Sequence, residues 1–169
     1  NMANLKGEYK EFLDSFDSTN NAVFEFHGII EEQYKSFSNF VLSSFELDNK
    51  TWSSVNHYFQ AAKFFGTDDD WSEEIRNAET PFEASRMGKS RSHPIQSNWN
   101  ELRLSFMKKA VEAKFQQNED LKELLLSTGS MNIHCHNPGD GYWGDGIGCG
   151  GEHENNLGKL LISTREILN

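Results

Sequence analysis

Cysteine is almost missing from this chain, with Cys135 and Cys149 alone among 169 residues. With no secretory-type apolar segment beside them, they read as reduced thiols of an intracellular protein, which excludes a disulfide framework. Basic charge is scarce too: 16 Lys and Arg stand against 26 Asp and Glu, a formal net charge of -10. That balance excludes the broad basic footprint of a duplex-wrapping nucleic-acid binder and leaves only local patches. Long apolar runs are absent, and none approaches the ~20 residues of a membrane helix. The expected location is the cytoplasm, with the nucleus open to a eukaryotic chain. There is no internal repeat and no visible linker, so residues 1–21 read as a polar N-terminal extension and 22–169 as one domain. Such a length buries a core without metals or disulfides.

What is present is a helix-like segment, Ser54 to Phe65, in which Asn56, Gln60 and Lys63 recur at i, i+4 and i+7 on one face. Val55, Tyr58, Phe59 and Ala62 form an apolar stripe beside it, so the amides and the amine face something other than hydrocarbon. Around this helix, Val23 to Phe26 and Ser44 to Leu47 alternate as strands, the second ending at an Asp48-Asn49-Lys50 turn. An acidic loop at Asp68 to Asp70 precedes a short helix, opened by Thr80-Pro81-Phe82-Glu83 and closed near Gly88. Asn98 opens a long helix whose inward stripe reads as Trp99, Leu102, Phe106 and Ala110. A helix over Leu121 to Ser127 then leads through Gly129 into a strand at Met131 to His136, and a last helix carries Leu157, Leu160, Leu161, Thr164 and Leu168. The pattern predicts an α+β fold: a single compact, mostly helical domain with a few short strands.

Four constellations carry chemistry. If burial disfavours its charged form, Lys63 becomes a neutral amine able to attack a sugar C1; the competing reading is a snorkelling lysine on a solvated face. Arg86, Lys89 and Arg91 concentrate positive charge in an acidic chain, as a phosphate site or as cations closing a helix C-terminus. The loop from Gly139 to Gly151 sets Asp140, Tyr142, Trp143 and Asp145 among seven glycines, suited to clasping a polar ring. Asp140 can stabilise charge at a ribosyl C1, or cap its own turn. The loop is neither a P-loop nor a Rossmann fingerprint, since Gly158-Lys159-Leu160 lacks the hydroxyl and no βαβ pattern precedes it. His134, Cys135, His136, Cys149 and His153 have the residue types of a zinc site without its spacing, so no metal is expected.

Six of these segments, in order, resemble the NADAR family: Ser38-Asn39-Phe40, Trp52 with Ser54 to Phe64, Ala84 to Arg91, Lys114-Phe115, Asp140 to Gly146, and Asn155 to Gly158. The resemblance implies an N-glycosidase that cleaves a ribosyl-to-nitrogen bond, with a compact α+β fold and no cofactor. Its implied substrate is ADP-ribosylated guanine in nucleotides or DNA, or alternatively a phosphoribosylated pyrimidine of riboflavin biosynthesis; a third reading is a non-catalytic ADP-ribose binder. By motif, Lys63 is implied as the Schiff-base amine, Asp140 as the catalytic carboxylate, and Arg86, Lys89 and Arg91 as phosphate contacts. Trp99 is implied in the base or ribose pocket, with Asn39 as a polar contact. His57, Tyr58, Gln60, Tyr142, Trp143, Gly144, Asp145 and Asn155 complete the implied binding set. Neither a membrane nor an obligate protein partner is implied. The chain departs from the family where Asn56 and Cys135 replace glutamates; an amide at Asn56 orients a hydroxyl but accepts no proton at neutral pH.

Overall fold

Ser54 starts the helix that carries the polar stripe, its hydroxyl oxygen accepting the His57 N–H at 3.1 Å. In the computed structural model this helix, α1 (Val55–Ala62), is buried along its whole length. The structure describes residues 20–25, 33–137, 139–146 and 153–169. The extension over 1–21 lies almost wholly outside the described residues, as do Phe26, Gly148, Cys149, Gly150 and Gly151. The chain divides into two compact units, one of Asn39–Lys122 and one joining the segment up to Ser38 to Glu123–Asn169.

In the first unit, α1 is packed by α2 (Asp69–Arg76), α3 (Pro81–Gly88) and α4 (Trp99–Gln117). A hairpin of β2 (Phe45–Leu47) and β3 (Lys50–Trp52) pairs Phe45 with Trp52. Asp48 and Asn49 turn it at φ 54° and 62°, the left-handed pair that a two-residue hairpin loop needs. Trp52, Tyr58, Phe65 and Phe106 meet edge to face or tilted behind it, with ring centroids between 5.0 and 6.4 Å.

Three sequence expectations change here. The acidic run is not simply a loop, because Asp68 accepts the Trp71 N–H at 3.0 Å and Asp69 and Asp70 begin α2, where negative charge complements the helix N-terminus. Asn98 does not cap α4 with its side chain; it stands in the left-handed region at φ 66°. The buried residues of α4 are Met107, Ala110, Val111, Ala113, Lys114 and Phe115, of which Met107, Ala110, Val111 and Lys114 are spaced i, i+3, i+4 and i+7, whereas Leu102 is exposed. Of the expected inward stripe, Ala110 is fully buried and Trp99 and Phe106 join the aromatic contacts, so Leu102 alone turns outward.

Lys114 is fully buried, and burial lowers its ammonium pKa to about 7. Between about 7 and the ordinary 10.5 the unfolded chain binds more protons than the fold, so this group makes stability rise with pH across that window. Lys114→Met is accordingly expected to exceed the parent in stability by about 1–4 kcal/mol at pH 7, with the gap shrinking toward pH 10. Paired denaturant titrations at the two pH values read this directly.

In the second unit, β1 (Asn21–Glu25) runs parallel to β4 (Asn132–His136), Ala22 opposite Ile133 and Phe24 opposite Cys135. The helix α5 (Glu119–Ser127) enters this unit from Glu123 onward, and α6 (Asn156–Leu168) packs on β4. Arg165 is buried and donates to the Thr128 hydroxyl at 2.9 Å and the Met131 carbonyl at 2.7 Å. The architecture is α+β, with six helices among the described residues and few short strands. No described helix is long and apolar enough to cross a membrane.

Candidate active site

The polar stripe of α1 meets α3. Asn56 donates to the Pro81 carbonyl at 2.6 Å and to the Ser85 hydroxyl at 2.7 Å, and its own carbonyl accepts from Gln60 at 3.3 Å. A carboxylate at this position offers no donor to the Pro81 oxygen, so the local wiring suits an amide. Gln60 lies flat against Gly88, where a Cβ would stand 2.0 Å from its Oε1. One turn on, the half-buried Lys63 Nζ donates to the Gly88 carbonyl over a long 3.4 Å. Burial first, and then the neighbouring Lys89 charge, lower its pKa to about 8. The main chain of Lys63 is fixed by the Gln96 N–H on its carbonyl at 2.7 Å, while the Gln96 amide closes on Ala62 at 2.6 Å.

The cations sit at the end of α3. Arg86 is exposed and forms an ion pair with Glu83 one turn earlier, which lowers the carboxyl pKa and raises that of the guanidinium. Lys89 caps the helix just past its last residue, Gly88, and Arg91 follows, both exposed. Cations here also oppose the negative end of the helix dipole, so the capping reading and a phosphate contact are physically compatible.

Other residues singled out in this unit make internal contacts. His57 accepts from the Ser54 hydroxyl at Nδ1 (2.7 Å) and donates from Nε2 to the Ala78 carbonyl (2.9 Å), and burial lowers its pKa. The Tyr58 hydroxyl donates to Asp48 at 2.7 Å, inside the aromatic cluster. Asn39 donates to the Met107 sulfur at 3.4 Å, and its carbonyl accepts the Asn56 N–H. Trp99 stacks on Phe106 at 5.7 Å and leans on Phe59 at 5.2 Å, half-exposed.

In the second unit the glycine loop is ordered by side chains. One Asp140 oxygen accepts the Tyr142 and Trp143 N–H groups at 2.8 and 3.0 Å, an Asx turn that holds the two rings edge to face at 4.7 Å. Asp145 is buried, accepting from His136 at 3.1 Å and from the Asn137 N–H at 3.2 Å. Gly144 packs so closely that a Cβ would fall 2.5 Å from the Asn137 Cβ. Asn155, left-handed at φ 50°, turns its amide onto β4, donating to the Ile133 carbonyl and accepting the Cys135 N–H, both at 2.9 Å. It acts there as a strand neighbour. No group of His, Cys, Asp and Glu among the described residues could hold a metal ion, and Cys135 is buried without a disulfide. Sequence reasoning missed Ser85 and Gln96. Ser85 lies in a quoted motif, and its i+4 spacing from Pro81 was the available signal.

Residues 25–169 match the sequence profile of the NADAR domain. The chain belongs to the NADAR family. It is 43% identical over 137 residues to the N-glycosidase YbiA of Escherichia coli, covering 81% of this chain and 83% of that one. The NMR structure of E. coli YbiA superposes with a TM-score of 0.75 at 41% identity, covering 87% of this chain and 84% of the other. The maize riboflavin biosynthesis protein PYRR, chloroplastic, is 35% identical over 149 residues, which are 80% of this chain but 24% of that longer protein. The expected family and fold class are thus both met.

Proposed function

We propose that this NADAR chain is an N-glycosidase releasing ADP-ribose from ADP-ribosylated guanine, with Lys63 as the group that captures the sugar. The observation that supports it is the amine of Lys63, held at the α1–α3 seam with its pKa lowered to about 8 and with Arg86, Lys89 and Arg91 on the adjoining helix end. The C1–nitrogen bond breaks with its electron pair leaving on the base, which takes a proton from solvent. The neutral amine adds to C1, the furanose C1–O4 bond opens as O4 is protonated, and an iminium to Lys63 results. One water then adds at C1 and expels the amine, so the overall change is hydrolysis. The basic group receives the diphosphate of ADP-ribose.

Incubation with ADP-ribosylated guanosine, with borohydride added to parallel samples, tests this: free ADP-ribose and a reduced adduct on Lys63 are expected, and neither product would refute it. The rate of adduct formation should climb through about pH 8 as the amine loses its proton. Because the Lys89 charge contributes to the lowered pKa, Lys89→Ala should move that limb to higher pH. An unshifted limb would separate Lys89 from the amine. A second reading is favoured by the maize relative's name: cleavage of a phosphoribosylated pyrimidine. It predicts a higher kcat/KM on that small substrate, with no gain from an ADP moiety, when the two are compared by chromatography.

A further inference from the structure

Lys63 is gripped from both sides of the stretch that leaves α3. Its Nζ donates to the Gly88 carbonyl and its own carbonyl accepts the Gln96 N–H, although residues 89–98 form neither helix nor strand. A side-chain cluster outside the proposed machinery anchors that stretch. The His93 ring lies parallel to the Trp71 indole, with centroids 4.0 Å apart and planes 3° apart. Its Nδ1–H donates to one Asp68 oxygen at 2.6 Å, while the other Asp68 oxygen caps α2 through the Trp71 N–H. The Trp71 indole N–H donates in turn to the Met87 carbonyl at 3.2 Å, one residue before Gly88. The His93 ring also meets Phe64, the buried neighbour of Lys63, edge to face at 6.3 Å. Thr67 donates its hydroxyl to the Pro94 carbonyl at 2.6 Å, closing the same stretch onto the turn after Lys63.

We infer that His93 is a positioning residue for Lys63: stacked on Trp71 and tied to Asp68, it holds the Gly88 carbonyl and the Gln96 N–H where they aim the amine. This rests on the lysine-centred reading above and extends it to the side chains that keep the amine in place. Backbone without a ladder of its own keeps its position only through such contacts. Two routes leave the Trp71–His93 pair and both end on Lys63. One runs from the indole through Met87 to the Gly88 carbonyl, which accepts from the amine. The other runs from the imidazole to Gln96, three positions on, whose N–H holds the Lys63 main chain. The amine's bond to Gly88 is already long, so a small shift at either end leaves Nζ unaimed and admits water to it. The described groups facing His93 are a carboxylate, an indole face and a phenyl edge, a set that holds a ring still. The Asp68 carboxyl is drawn below its ordinary range, chiefly by the His93 hydrogen bond, so it stays an acceptor at every pH at which Lys63 loses its proton.

Reductive trapping of ribose 5-phosphate on the whole chain, with peptide mass spectrometry reading Lys63 alone, tests this without any need for turnover. In the parent the trapping rate should climb through about pH 8. His93→Ala, which removes both the stack and the tie to Asp68, is expected to move that limb up by about one pH unit and to slow trapping at pH 7 about tenfold. His93→Asn, a donor without the ring, and His93→Phe, a ring without the donor, should each fall between parent and alanine variant. Trp71→Leu combined with His93→Ala should slow trapping no more than the worse single change, because both act through one contact. On ADP-ribosylated guanosine, His93→Ala should lower kcat about thirtyfold with KM within about twofold. A parent-like limb in His93→Ala, additive effects in the double variant, or no trapping on Lys63 in the parent would each overturn the inference. Should His93→Ala fail to fold, parent-like limbs in His93→Asn and His93→Phe together would overturn it equally. A parent that traps the sugar on Lys63 yet releases no ADP-ribose would sink the glycosidase reading and leave the positioning role standing.

Discussion

Lys63→Ala is expected to lower kcat/KM on ADP-ribosylated guanosine by at least about a thousandfold, with no borohydride-trapped adduct elsewhere on the chain. The size follows from what the fold does to one amine. An ordinary lysine is neutral in roughly one molecule in three thousand at pH 7, whereas a pKa of about 8 makes that about one in ten. Two causes act in the same direction: α3 removes water from Nζ, and Lys89 adds like charge. The compensating contact is a long 3.4 Å bond to the Gly88 carbonyl, so little holds the proton in place. Lys63→Arg supplies the decisive control, because a guanidinium keeps the charge and most of the reach but stays protonated and forms no imine. It should be as inactive as the alanine variant. Lys63→Met should melt no lower than the parent, because it removes an amine whose charge burial disfavours, and this separates lost chemistry from lost packing. Activity of Lys63→Ala within tenfold of the parent would end the lysine-centred mechanism, and activity in Lys63→Arg alone would reduce the residue to a phosphate contact.

Gly158→Ala is expected to destabilise the protein by about 2–4 kcal/mol, a fall of roughly 5–15 °C in Tm. The sign is informative. Glycine inside a helix ordinarily costs about 1 kcal/mol relative to alanine, so the substitution should stabilise α6 if only helix propensity mattered. Here a Cβ would stand 2.1 Å from the Ile133 carbonyl oxygen and 2.4 and 2.6 Å from the two amide atoms of Asn155. Ile133 belongs to β4, whose main chain cannot swing aside as a side chain would. The same Asn155 amide bridges the Ile133 carbonyl and the Cys135 N–H, so crowding by alanine also breaks that bridge and leaves buried strand groups without their partner. Thermal unfolding by circular dichroism reads the result. A Tm equal to or above the parent's would mean that α6 moves off β4 without penalty.

Several features were legible because they are local. The stripe of Asn56, Gln60 and Lys63 is a periodicity, and α1 follows it. Asp48-Asn49 tolerates two positive φ values, and the hairpin turns there. The apolar spacing of Leu157, Leu160, Leu161 and Thr164 places all four in the buried part of α6. Other features were not, because they are settled between distant segments. The first turn of α4 offers Leu102 as an inward residue, yet it is exposed, while Met107 and Val111 are buried beside Ala110. Nothing local in Asn155 announces that its amide completes the edge of β4, 20 and 22 positions back along the chain. His57, implied in the binding set, has both ring nitrogens taken by Ser54 and Ala78, the second 21 positions away.

By itself the sequence determined the family, the α+β class and the presence of a lysine on a polar helix face, since these depend on residue identity and spacing along one segment. Only the tertiary structure decided which chemical state that lysine keeps. Desolvation and the Lys89 charge reach Nζ through space from α3, 25 and 26 positions further on, and a pKa answers to the surroundings of an atom rather than to its neighbours in sequence.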